Sequence, residues 1–521
     1  MSEKFADRVR ASWAVFRGRA KAMGRKQRSG SIKKRGIDAA KMTGPNRLWS
    51  GSKGDANFDV TAGLVKARAR SRDAYLNFPY IRQMVDRWVD GLVGTGLRPT
   101  PMSGDPKWDD RAWELWQKWE PVAVAGSDMG FYGAERLSML HVANDGEILI
   151  RFRSRRFDDM PGLPPFKIQL VEPDLLPVEK NGTGRYGQII CGVELDGIGE
   201  VAAYHMLRRH PGATYQTAGF ASSADTVAVP AAEIVHIYDT LRAGQVRGLP
   251  LTVPALLTAK QFHEMLDAIL TGIESASMLV ATVEGDSEDT AKPGINNPDD
   301  PNYTGNVATD ATGAVVENLF SGLVSYLPEG KTITFNTAQM PSGVKEIVST
   351  YLHMIAAAGG MSYHTVSGDM SDSSLAQARL GLNKERANLE HKRRFVLVPA
   401  LSKIYRRFID ESVFAGLLES RPGMYQHSWS DPRVPLADEL TDLKAAVLKM
   451  QAGLVSRADV IESLGDDADV VTAAIAADNK LMDDLGIVSI GNPARVTLSG
   501  SLQPGVLLDS TLQAPEKNSE I

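Results

Sequence analysis

Between residues 374 and 396, Leu375, Leu382, Leu389 and Val396 recur every seven residues, with Lys384, Glu385, Arg386, Glu390, Lys392, Arg393 and Arg394 between them. Nothing in this stretch breaks a helix, so at about 1.5 Å per residue the rod runs roughly 35 Å before Pro399 bends it. A seven-residue stripe this narrow does not suit burial within a globule. It suits packing against neighbouring helices, in the same subunit or the next one. Any fold for this chain must accommodate that rod.

The segment before it, "SYHTVSGDMSDSS" at 362–374, is small, acidic and rich in hydroxyls. It lies between two segments that read as long helices, where a simple reversal needs only about two to five residues. The preceding helix carries Val344, Ile347, Val348, Tyr351, Leu352 and Ile355, with Ser342 as the expected N-cap and Gly359–Gly360 as its end.

The rest of the chain changes periodicity twice. Residues 61–93 read as two helices broken before Pro79, the second with Ile81, Val85, Trp88 and Leu92 at helical spacing. "WDDRAWELWQKW" places Trp113, Trp116 and Trp119 on one helical face, expected to be core. From 147 to 240 the runs "EILIRF", "FKIQLVE", "GQIICGVELD", "VAAYHML" and "EIVHIYD" predict a mostly antiparallel sheet. After Pro254 a helix returns, with Leu256, Leu257, Phe262, Leu266, Ile269 and Ile273 on one stripe and Glu264, Asp267 and Glu274 on another. Turn formers fill 285–313. "GLVSYL" and "KTITF" then read as a small β-unit turning at Pro328–Gly330. Residues 436–486 read as short helices and 491–521 as an irregular tail. The class is α+β.

Composition excludes whole classes. The 521 residues are 43% hydrophobic and 23% charged, an ordinary balance for a soluble protein, and no apolar run is long enough to span a membrane. Cys191 is the only cysteine, so no disulfide forms within the chain and folding in a reducing cytoplasm is expected. Its expected role is that of a small buried apolar residue. The first 50 residues hold fourteen lysines and arginines against three acids, a net +11 that leaves −16 for the remainder. Such an arm is either solvated or contacts nucleic acid or an acidic protein surface.

Catalytic patterns fail on inspection. "PEGKT" at 328–332 ends like a phosphate-binding loop, but Ser325 stands where the first glycine must be. "GTGLRP" at 94–99 has Pro99 where a dinucleotide fingerprint needs glycine. No HExxH, GxSxG or paired CxxC occurs, the nine histidines are scattered, and Asp109–Asp110 and Asp158–Asp159 read as solvated pairs. No cofactor, metal or enzymatic activity is expected.

Four blocks then carry a family resemblance: "ARSRDAYLNFPYIRQMVDRWVDGLVGTGLRP" at 68–99, "IQLVEPDLL" at 168–176, "AAYHMLRRHPG" at 202–212 with "AAEIVHIYDTLRAGQVRGLPLTVPAL" at 231–256, and "GGMSYHTVSGDMSDSSLAQARLGLNKERANLEHKRRF" at 359–395. In this order and spacing they resemble the lambda-type portal proteins of tailed bacteriophages over roughly residues 45–490. The resemblance implies a homo-oligomeric ring of about twelve subunits at one capsid vertex of the virion, assembled in the host cytoplasm. Double-stranded DNA would be packaged and ejected through the ring. It implies as partners DNA bound without sequence specificity, the terminase large subunit, the major capsid or scaffolding protein and head–tail connector proteins, with no membrane. The expected parts are a basic arm (1–50), a wing (51–252), stem helices (253–284 and 341–358), a clip (285–340), a channel loop (359–374), a long wing helix (375–410), a crown-like helical region (411–490) and a tail (491–521). A nucleic-acid enzyme of the packaging apparatus and a passive head–tail adaptor are the alternatives.

On that reading the loop offers Ser362, His364, Ser367, Asp369, Ser371, Asp372 and Ser373 to the channel. Hydroxyls make weak contacts and carboxylates repel phosphate, as sliding DNA requires. Lys384, Arg386, Lys392, Arg393 and Arg394 are candidates for the channel side or for contacts between subunits. The plainer reading of the loop is a solvated turn in which Ser374 or Asp372 caps the next helix.

Overall fold

The computed structural model describes residues 51–213, 226–278, 281–284, 332–335, 343–371, 374–432, 439–464 and 468–485. The expectations for the basic arm, for most of the 285–340 insertion and for the tail lie outside the described residues.

The described chain begins with α1 (Ala56–Thr61), α2 (Leu64–Asn77) and α3 (Pro79–Val93). Phe78 parts the last two with extended torsions, φ −106° and ψ 108°, because a proline ring disfavours the helical region for the residue before it. Pro79 then sits in the first turn of α3, where its missing N–H leaves no bond unmade. After β1 (Pro99–Pro101) comes α4 (Pro106–Trp119), capped by the Asp105 carboxylate, which accepts from the Lys107 N–H at 3.1 Å. Helix α5 (Phe131–Asp145) ends at Gly146 with φ 90°. A Cβ there would lie 2.5 Å from the backbone of Leu249, so both the torsion and the close approach require glycine.

Strands β2 (Glu147–Ser154), β3 (Phe166–Val171), β4 (Gly182–Thr183), β5 (Gln188–Ile190), β6 (Val193–Leu195), β7 (Val201–Leu207), β8 (Thr226–Pro230) and β9 (Ile234–Tyr238) follow. They form two antiparallel sheets, in the orders β3–β2–β9 and β4–β5–β6–β7–β8. Ile150 of the central β2 pairs with Leu170 on one side and Val235 on the other. Ile148, Leu149 and Ile150 are all buried, so this strand is covered on both faces and loses its alternation.

The remaining elements are α6 (Val253–Met278), β10 (Ala281–Glu284), β11 (Thr332–Phe335), α7 (Val344–Gly359), α8 (Tyr363–Ser367), α9 (Leu375–Lys392), a π-turn (Arg393–Leu397), α10 (Val398–Phe414), β12 (His427–Trp429), α11 (Glu439–Gln451), α12 (Arg457–Ser463) and α13 (Ala468–Asp484).

Several expectations are corrected. The helix expected to fill 253–284 stops at Met278, and residues 281–284 instead pair antiparallel with 332–335. The strand in "KTITF" therefore has Ala281–Glu284 as its described partner, while "GLVSYL" lies outside the described residues. Helix α7 is entered through Gly343, in the left-handed region at φ 89°; the expected cap residue, Ser342, lies outside the described residues. The helix expected to bend at Pro399 continues through it. The helical path runs from Leu375 to Phe414, about 60 Å at 1.5 Å per residue. Proline lacks the N–H for an i→i−4 bond and crowds that carbonyl. Just before it the helix widens into the π-turn, where the Val398 N–H reaches back five residues to the Arg393 carbonyl. Finally, residues 427–429 are not part of a helical crown, because they pair with β1, Pro99 facing Trp429.

The main core gathers α3, α4, α5, β2, β3, α7 and α10. Trp116 and Trp119 are buried and Trp113 half-buried, as the stripe predicts. Trp119 stacks on Phe166 at 4.9 Å and its indole N–H donates to the Phe166 carbonyl at 3.1 Å, while Trp116 meets Phe131 and Phe408 edge-on at 4.9 and 5.0 Å. A smaller core, including Leu149, Val171, Tyr204, Val229 and Ile234, joins the two sheets. Cys191 is buried beside it, with φ 51°.

Between the two cores lies a buried ionic cluster. Glu147, fully buried, accepts from Arg68 Nη2 at 2.9 Å, Arg247 Nε and Nη2 at 2.8 and 2.5 Å, His236 Nε2 at 3.0 Å and the Gly248 N–H at 2.9 Å. Arg247 also donates to the carbonyls of Leu176 and Cys191 at 3.0 and 2.8 Å. Arg72 bridges Asp145 and Asp174, each at 2.6 Å. Three carboxylates face three guanidiniums, so the cluster is neutral overall. Burial alone pushes the Glu147 carboxyl up, but the Arg247 charge and the His236 hydrogen bond outweigh it and hold it well below the usual carboxylate range.

Glu147→Gln leaves Arg68 and Arg247 short of an anion and should cost about 3 kcal/mol of stability, read by denaturant unfolding. A depressed carboxyl stabilises the fold above its unfolded pKa and loses that contribution as pH falls. The variant should therefore also show a shallower loss of melting temperature on acidification, and an unchanged acid slope would refute the assignment.

Glu135 behaves oppositely. It is buried, one carboxylate oxygen accepts from the Leu97 N–H at 3.1 Å, and Oε1 has no hydrogen-bond partner among the described residues. Burial raises its pKa well above the ordinary value, only partly offset by that N–H and by Arg393. A raised carboxyl stabilises the fold below its unfolded pKa and loses that contribution as pH rises. The melting temperature of Glu135→Gln relative to the native protein should climb between about pH 5 and pH 8; a pH-independent difference would count against a charge effect.

Candidate nucleic-acid interface

The polar segment is built on a rigid frame. Helix α7 stops at Gly360, φ 68°, through a Schellman end: the Gly360 N–H bonds the Ala357 carbonyl at 3.1 Å and the Met361 N–H bonds that of Ala356 at 2.9 Å. Met361 is buried and helps to close the core there. Glu385, reaching across from α9 and itself buried, accepts from the Ser362 N–H at 3.0 Å and the Thr365 hydroxyl at 2.9 Å. Ser362 and Thr365 share a further bond of 2.7 Å.

Residues 363–367 are therefore the helix α8, not open loop, and Val366 is fully buried in the main core. The Tyr363 ring stacks on His353 of α7 at 4.2 Å. His364 Nδ1 donates to the Asp369 carbonyl at 2.9 Å. Gly368, φ 71°, ends α8 with its N–H on the His364 carbonyl.

From Gly368 onward the chain turns to solvent, with Asp369 half-buried. There Asp369 organises the tip: its N–H donates to Ser367 Oγ at 3.1 Å, and its carboxylate accepts from the Ser371 N–H at 2.9 Å and hydroxyl at 2.6 Å. These Ser371 bonds hold the carboxyl below its usual range, so the tip stays negative. Gly368, Met370 and Ser371 are exposed, and Asp372 and Ser373 lie outside the described residues. Ser374 then caps α9 in a capping box with Gln377. The plainer reading is right about this residue.

The basic candidates divide. Arg393 binds the end of α3, donating to the carbonyls of Gly91 and Leu92 at 3.0 Å each and to Asp431 at 3.0 Å. Lys392 pairs with Asp239 at 2.5 Å. Both are thus committed within the subunit. Lys384 and Arg394 are exposed, and Arg386 is half-buried. Of the heptad stripe, Leu389 is buried and would collide with any side chain at Gly91, Val396 packs on the main core and Leu382 is half-buried; Leu375 begins α9.

Sequence reasoning passed over Glu385. Its signal was present: three residues after Leu382 and four before Leu389, it lies on the apolar face of α9. A second constellation, Glu172, Asp174 and His210, brings ligand atoms within 4.8 Å of one another. Asp174 is already held by Arg68 and Arg72, whose charges oppose a cation. No described helix is long and apolar enough to cross a membrane.

The description "Phage portal protein, lambda family" matches residues 43–393. Portal protein B of Escherichia phage lambda is 21% identical over 462 residues, covering 81% of this chain and 85% of that protein. The portal protein of Escherichia phage N15 is 22% identical over 466 residues, covering 81% and 86%. A chain solved in the neck of an empty GTA particle is 12% identical, with a TM-score of 0.42 over 78% of this chain and 93% of that one.

Because Glu385 ties both Ser362 and Thr365 to α9, Glu385→Ala removes two charge-assisted bonds and should speed amide exchange across 362–367 by at least about tenfold. Exchange in β2 should not change. Equal acceleration in both places would mean that the carboxylate stabilises the whole fold and not this segment.

Proposed function

Since the chain belongs to the lambda family of phage portal proteins, we propose that its copies close into a ring whose channel passes double-stranded DNA, with residues 368–374 at the channel wall. Portal function follows from the membership; the ring, the channel and the roles of residues are our reading. Helices α6 and α7, joined by the Phe262–Tyr351 stack at 5.6 Å, would be the stem pair. The 285–340 insertion between them would be the clip that meets the terminase large subunit and later the head–tail connector proteins. Residues 51–252 with α9 and α10 would form the wing, and α11–α13 the crown facing the capsid interior and its scaffolding or major capsid protein. The energy for packaging would come from a separate motor, with no chemistry in this chain.

One observation carries the channel assignment. The segment is anchored by the Schellman end, Glu385 and Val366, while at its described tip Asp369 and Ser371 bond to each other. A rigid base with a negative, hydroxyl-bearing tip can stand near phosphates without holding them.

Removing Gly368 to Asp372 spares Val366, Glu385 and the Ser374 cap. Rings of normal size and melting temperature are therefore expected, with reduced packaging or retention of DNA. Ser374→Ala should do the reverse, costing about 1 kcal/mol with DNA passage unaffected. Asp369→Lys should slow translocation, less so as salt rises. A deletion variant that packages and retains DNA normally would remove the tip from the channel.

A further inference from the structure

A ring of more than two copies joined by one repeated contact must carry two different, complementary patches on each chain. Two such patches are present, and the described residues of the subunit cover neither. The first is on α6. Beyond Phe262 none of its described side chains up to Glu274 is fully buried, and Leu270 is 56% exposed. Beside it a groove of about 340 Å³ opens between Phe78, Tyr80, Phe262, Leu266 and Leu270. Asp267 lines it and is exposed, with His263 at 3.7 Å, and Glu274, one turn beyond Leu270 on the same helix, is exposed as well.

The second patch is on α9. Leu382, Leu389 and Glu385 turn inward to α3 and α8, so the opposite face is left outward. That face carries Leu380, 72% exposed, then Lys384, Ala387, His391 and Arg394 at three- and four-residue spacing, with Phe395, 63% exposed, at its end. Glu390 is the one exposed acid on α9. Apolar side chains with cations on one helix thus match an apolar groove with carboxylates on another.

We infer that the outward face of α9 in one copy docks into the α6 groove of the next, Leu380 entering the groove while Lys384 and Arg394 face Asp267 and Glu274. This rests on the ring reading above and names the contact that closes it. It also explains why both faces expose large apolar side chains, which in an isolated subunit would invite nonspecific association.

The test uses full-length protein carrying Leu270→Cys or Leu380→Cys, with Cys191 left buried, and a short bis-maleimide. Mixed and assembled together, the two variants should give covalent dimers. Either variant alone, or the native chain, should give none, and a chain carrying both changes should give a ladder of multimers. Independently, Asp267→Lys and Lys384→Asp should each lower the ring fraction severalfold in native mass measurements, and the pair together should restore it. If rings form yet the cysteines stay uncoupled and the charge variants assemble normally, the docking is wrong and the ring reading survives. If native protein forms no ring at any concentration and no cross-link appears, the ring reading falls and takes this contact with it.

Discussion

The interaction on which the architecture depends is the buried cluster around Glu147. Isolated, a carboxylate with no solvent exposure would be prohibitive. Here Arg68 brings α2, Arg247 brings the turn that leads into α6, His236 brings β9 and Glu147 itself opens β2. Because removing any one partner strands the others, the cluster acts as a lock on relative position more than as a source of net stability. Through Arg247 and the Gly248 N–H it ties the turn that leads into α6 to the first residue of β2. Gly146, pressed against the 248–250 backbone, permits no other side chain at that junction.

Outward from this lock, the order of the structure falls in a way that fits a conduit. The aromatic core around Trp116 and Trp119 and the two sheets make a stiff body. From it α6 and the α9–α10 rod extend with large exposed apolar side chains, which a monomer has no use for. The polar tip after Gly368 is carried at the meeting point of α7, α8 and α9, where Glu385 holds its base. Stiff base, weakly interacting tip and uncovered helices are one design if the chain works only in a ring.

The π-turn at Arg393–Leu397 shows how a local conflict is absorbed. Proline within a helix ordinarily kinks or ends it. Widening one turn to i→i+5 before Pro399 avoids that conflict, and Arg393, in the same turn, donates to the free carbonyls at the end of α3. Arg393 thus adds a tie between the rod and the body at the point where the helix is least regular.

Much of this was legible beforehand because it is local. Helical spacing in 79–93 and 344–359, the break at Phe78, the Gly359–Gly360 stop, the Ser374 cap and the strands of 147–240 all follow from side chains within a few residues of one another. What misled was long-range. Pairing of 281–284 with 332–335 and of 99–101 with 427–429 joins segments far apart in sequence, whose partners no periodicity names. The helix in 363–367 was hidden because polarity reads as loop, whereas Val366 is driven into the core by neighbours on α7 and α3. Glu385 looked like one more surface charge, and Lys392 and Arg393 like free cations, until the fold supplied their partners. The sequence by itself determined the elements, their order and the family blocks, because periodicity and caps are properties of neighbouring residues. Which face of α9 turns inward, and so which charges are left to meet another molecule, was decided only by packing, because burial is a property of the assembled chain.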